Sequence, residues 1–108
     1  MITVTFYCKN DELVGFQSEG HAGYDKSGKD IVCAAVSVLV FTTINAIKDL
    51  TQDAFSGEED GKRAVVELLI TEEKPSERAG VLLEAFRIGI EGVAKGNSRY
   101  LRVISKEV

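Results

Sequence analysis

The chain has 108 residues and a mass of 11.8 kDa, the size of one domain, so residues 1–108 are expected to share a single core. With 44% hydrophobic and 28% charged residues, it has the composition of a soluble globular domain, not of a disordered segment. The formal charge is −4 and each half of the sequence is acidic, which excludes a general nucleic-acid binder built on phosphate neutralisation. Two cysteines, Cys8 and Cys33, are too few for a disulfide scaffold. Met1 to Phe6 has neither the basic start nor the long apolar stretch of a secretory signal. A cytoplasmic address with reduced thiols is the expectation.

Ile2, Val4, Phe6 and Cys8 alternate with Thr3, Thr5 and Tyr7, the period of a strand with one buried face. Asn10-Asp11 turns the chain into a second run, Leu13 to Glu19, so residues 2–19 read as a β-hairpin. From Gly20 to Lys29, glycines and small polar residues predict an irregular loop. Ile31 to Ile47 then runs for 17 residues without a charge. Its many β-branched residues favour a strand, but strands rarely reach that length, so a helix is predicted with Asp30 at its N-cap. Ser37, Thr42, Thr43 and Asn45 leave it short of the ~20 predominantly apolar residues that span a bilayer, and it reads as a helix buried in protein. Asp53 to Lys62 looks like a polar connection and Ala64 to Thr71 like a strand. Pro75-Ser76 opens a second helix, whose Ala79, Leu82, Leu83, Phe86, Ile90 and Val93 recur at helical spacing, and Gly96-Asn97 closes it. Tyr100 to Ile104 is the last strand. The order ββαβαβ predicts an α+β sandwich, with two helices packed on one face of a small mixed β-sheet.

His21, the only histidine, and Cys33 stand at opposite ends of the Gly-rich loop. If Asp30 is the N-cap, Cys33 falls in the first helical turn, where free N–H groups and the helix dipole favour a thiolate. A strand end delivering His21 beside that turn supplies the base, and later the acid, of thiol acyl transfer. First-turn amides can hold the developing oxyanion. Plainer readings compete with this one: a lone cysteine in an apolar helix is commonly a small core residue, and a lone histidine beside glycines a surface one. Asp30 fits either a third catalytic member orienting His21 or an N-cap. Ser37, one turn after Cys33, fits either a substrate contact or a small residue permitting close packing. Cys8 reads as a buried hydrophobe. No Cys-x-x-Cys or His-x-x-x-His pair occurs, and neither a metal nor a cofactor is expected.

Gly20-His21-Ala22-Gly23, a Gly-rich loop, and then Gly28-Lys29-Asp30-Ile31-Val32-Cys33-Ala34-Ala35-Val36-Ser37 closely resemble the ribosomal-processing cysteine proteases, the Prp family. The element order, acidic character and length extend the resemblance over essentially the whole chain. It implies a cysteine endopeptidase with His21 and Cys33 as catalytic residues, which removes the N-terminal extension of a large-subunit ribosomal protein by cutting next to aromatic residues. It also implies a mobile loop over residues 22–29, in which Gly23, Tyr24, Ser27 and Gly28 would gate substrate access, and association as a homodimer. Direct contact with nucleic acid or membrane is not expected. The competing class is a non-catalytic module that binds the ribosomal protein, with His21 and Cys33 structural.

Overall fold

The computed structural model describes residues 1–23 and 30–108. Strands β1 (Ile2–Lys9) and β2 (Glu12–Glu19) form the expected hairpin, followed by helix α1 (Ile31–Leu50), strands β3 (Phe55–Asp60) and β4 (Val65–Ile70), helix α2 (Glu77–Gly96) and strand β5 (Leu101–Glu107). The sheet order is β3-β4-β2-β1-β5, with β1 and β5 parallel and every other pair antiparallel. The α+β class, the mixed sheet and the two helices are as expected, but the element order is ββαββαβ. Residues 53–62 are therefore not merely a polar connection, because they contain β3. That strand is hard to read because Phe55 is its only large apolar residue, and it lies at the sheet edge, where glycine and charge discourage pairing with other chains.

The hairpin turn is set by two residues. Asn10 and Asp11 both take positive φ (53° and 64°), and Lys9 pairs with Glu12, which gives the two-residue turn whose twist matches the strands. Both helices start at side-chain caps. The Asp30 carboxylate accepts from the N–H groups of Val32 and Cys33, at 3.0 Å each, and the Ser76 hydroxyl accepts from Ala79 N–H at 3.1 Å. The second helix ends where expected by a different device. Gly96 is its last residue, and Asn97 caps it from an ordinary negative φ while donating its amide to the Val93 carbonyl at 2.9 Å.

The core lies between the helices and one face of the sheet. Register puts Phe6, Phe16 and Leu68 in one cross-strand row, and all three are buried. Phe86 of α2 sits on that row, with its ring centroid 4.1 Å from Phe16 and 5.8 Å, edge-on, from Phe6. Val32, Val36, Val40, Thr43 and Ile47 form the buried stripe of α1. Leu39 of the same helix packs over Gly89 so closely that a Cβ there would come within 2.8 Å of its Cδ2. Helix α1 runs 20 residues, three past its expected end, and by length and composition alone it could cross a membrane. Here its buried stripe is part of the domain core. On the opposite face of the sheet, the Tyr7 hydroxyl and the Gln17 amide both donate to Glu67 Oε2, at 2.6 and 3.2 Å.

A bulge at Val14 lets Gly15 stand opposite Tyr7. An added Cβ on Gly15 would lie 2.2 Å from the Leu68 carbonyl oxygen, so Gly15→Ala must push β2 away from β4. It is expected to lower the unfolding free energy by about 1–3 kcal/mol through overpacking. Ser76→Ala, which removes only a cap, is expected to cost about 1 kcal/mol. Urea denaturation followed by circular dichroism measures both.

Candidate active site

Where β2 ends, Gly20 turns the chain out of the sheet. Its φ is +94°, its N–H donates to the Ala64 carbonyl at 3.0 Å, and a Cβ would meet the Met1 carbonyl oxygen at 2.6 Å. This crowding leaves room for glycine only and fixes the exit of the next two residues. His21 emerges exposed, while Ala22 is buried and donates its N–H to Cys33 Sγ at 3.2 Å. His21 and Cys33, 12 positions apart, line the same cleft of about 270 Å³.

One wall of the cleft is α1, contributing Cys33, Val36, Ser37, Val40 and Phe41. The sheet forms the other wall through Ile2, Ser18 and Val66, and the end of β3 and its turn close it with Glu59, Asp60 and Gly61. The floor is apolar. Ser37 is exposed on the α1 wall instead of packed as a spacer. Gly23 is exposed, with a φ of +74°. Tyr24, Ser27 and Gly28, and with them the expectation of a mobile gate, lie outside the described residues.

The electrostatics of the thiol differ from the expectation. Burial is the main influence pushing the Cys33 thiol above its ordinary pKa. The Ala22 N–H works against this by stabilising the thiolate, and the neighbouring Asp30 carboxylate raises the thiol further. The physical reason is the cap itself. Asp30 engages the Val32 and Cys33 N–H groups, so the positive end of the helix faces a carboxylate before it faces the sulfur. The same two amides are therefore occupied, and an oxyanion hole built from them is not available. Asp30, buried at the helix start, performs the cap role. Cys8 is half-buried against the core, and burial raises its thiol as well, with Glu107 adding to the effect. Among the described residues, no three His, Cys, Asp or Glu side chains group as metal ligands.

Two contributors escaped sequence reasoning. The Ala22 N–H carries no side-chain signal at all, and Glu59 lay within what reads as a linker. Only the Gly-His-Ala-Gly spacing pointed towards the former.

The family model described as cysteine protease Prp matches residues 1–102. The ribosomal processing cysteine protease Prp of Bacillus subtilis is 28% identical over 107 residues, covering 95% of this chain and 96% of that protein. A crystal structure of the Staphylococcus aureus ribosomal processing protease Prp, in complex with a covalently linked product peptide, superposes with a TM-score of 0.91 at 23% identity, covering 98% of this chain and 100% of that one. A Streptococcus mutans crystal structure gives a TM-score of 0.84 at 29% identity, covering 100% of this chain and 96% of the other. With the family model spanning nearly its whole length, the chain belongs to the Prp family of cysteine proteases.

Proposed function

We propose that this cysteine protease uses Cys33 as nucleophile and His21 as its base, and that it removes the N-terminal extension of a large-subunit ribosomal protein. One observation carries the assignment of residues: the only histidine and a helix N-terminal cysteine open onto a single cleft with an apolar floor, and a backbone N–H is already aimed at the sulfur. The ribosomal substrate is supported by the named activity of the Bacillus subtilis relative and by peptide complexes of the Staphylococcus aureus one. A cytoplasmic address, a homodimer, and the absence of nucleic-acid and membrane partners belong to the same reading.

The chemistry follows from a thiol that holds its proton. In the substrate complex, His21 takes the proton from Cys33 Sγ as the sulfur bonds to the scissile carbonyl carbon. The Ala22 N–H stabilises the negative charge that builds on the sulfur as the proton leaves. When the C–N bond breaks, His21 returns the proton to the leaving amine, leaving a thioester on Cys33. Water then adds to the thioester carbon, losing a proton to His21, and as the C–S bond breaks His21 passes that proton to the departing sulfur, which restores the thiol and the free base. Ser37, exposed one turn beyond Cys33, faces the cleft where the peptide backbone would run. The apolar floor suits an aromatic side chain beside the cut.

Cys33→Ala is expected to lower turnover of the organism's own precursor by at least about 1000-fold, and His21→Asn by roughly 100- to 10,000-fold. Mass spectrometry of the products reads both, and undiminished cleavage by Cys33→Ala would remove the assignment. A merely binding module would show no cleavage to lose.

Because the folded protein raises the Cys33 pKa, the neutral thiol persists above the pH at which a free cysteine ionises, ~8.5. Alkylation of Cys33 by iodoacetamide in the free enzyme should therefore be slow at neutral pH and climb with a midpoint above that value. Peptide mapping across a pH series measures it, and a midpoint below neutrality would mean a preformed thiolate.

A further inference from the structure

The lip of the cleft carries a charge that the chemistry above leaves unused. Register places Ser18, Val66 and Glu59 in one cross-strand row over β2, β4 and β3, on the face of the sheet that bears the helices. All three line the cleft opposite Cys33 and Ser37. On that side of the cleft Val66 contributes an apolar side chain and Ser18 a hydroxyl, and Glu59, on the edge strand, forms the outer lip. Glu59 is exposed and, among the described residues, its carboxylate has neither a hydrogen-bond nor an ion-pair partner. Its neighbour Asp60 is committed differently, accepting from the Lys62 and Arg63 N–H groups at 3.0 and 3.3 Å to hold the β3–β4 turn. No lysine or arginine lines the cleft among the described residues.

We infer that Glu59 is a specificity residue that selects a lysine or arginine side chain of the substrate within about three residues of the cut bond. The inference rests on the reading of Cys33 and His21 as the peptidase site. The distance follows from sheet geometry. Two strand spacings, roughly 10 Å, separate the Ser18 and Glu59 positions of the row, and about three residues of extended chain cover that length. A peptide whose aromatic side chain fills the apolar floor thus brings a nearby basic side chain to the Glu59 carboxylate at the lip. Glu59 is exposed, so water screens the pair and its attraction for a cation is the modest one of a surface ion pair, enough to bias a choice between peptides.

The test uses two peptides that share one sequence around the cut and differ only in carrying lysine or glutamine within three residues of it. The readout is the ratio of kcat/KM for the lysine peptide over the glutamine peptide. Glu59→Gln should lower that ratio about five-fold, the upper range for a single exposed pair. Glu59→Lys should invert it in favour of a third peptide carrying glutamate at that position. Glu58→Gln, one residue away on the other face of β3, should keep the wild-type ratio. If both Glu59 variants keep that ratio too, the inference is overturned. If the wild-type protein cuts none of the peptides, the peptidase reading fails on its own. Fluorescence anisotropy of the same peptides then decides Glu59 alone: tighter binding of the lysine peptide that is lost in Glu59→Gln supports it, and equal binding in both overturns it.

Discussion

Everything in this domain hangs from the packing of Phe86 onto the Phe6–Phe16 row. The centre of one face of the sheet is apolar, and α2 clamps it through that ring cluster. Helix α1 then has to lie beside α2, and the close approach of Leu39 to Gly89 fixes how near. With both helices on five strands, cover runs out towards β4 and β3. The cleft is the gap that remains where the N-terminal half of α1 overhangs that end of the sheet. Two of its walls, a helix and a sheet, are thereby already held by the core.

The Asp30 cap has two opposed consequences. By accepting two N–H groups it anchors the first turn of α1, a contribution of about 1 kcal/mol for a typical cap. By standing next to Cys33 it also opposes charge on the sulfur, and burial adds to the same effect. The helix end alone therefore does not make a thiolate here. In the proposed mechanism the proton has to leave through His21, which is exposed and attached by a tightly constrained Gly20. A resting thiol of this kind is less open to stray oxidation than a standing thiolate, because reactivity follows the thiolate fraction.

Strand β3 shows how one segment serves both stability and the site. An edge strand exposes unpaired backbone groups, and Glu58, Glu59 and Asp60 make this one a poor template for further pairing. The alternation of the strand sends Glu58 to the outer face beside Glu67 and Glu59 to the cleft. Two of the charges that guard the edge, Glu59 and Asp60, thus also line the cleft.

The sequence by itself determined what depends on neighbours a few residues away. The period-2 run of Ile2 to Cys8, the Asn10-Asp11 turn, the caps at Asp30 and Ser76 and the helical spacing of Ala79 to Val93 are local, and each element formed where those signals put it. His21 and Cys33 were legible only as candidates, since each stands beside a local element boundary but fits a plainer surface or core role as well, and it was the resemblance to a family that singled them out. What only the tertiary structure decided depends on partners far along the chain. Phe55 to Asp60 is a strand because β4 offers an edge to it, not because of its own pattern. The Ala22 N–H meets a sulfur 11 residues on because Gly20 is wedged between Ala64 and Met1. The Cys33 thiol rises because folding removes water from it, and desolvation is a property of the assembled surroundings that no spacing of residues records.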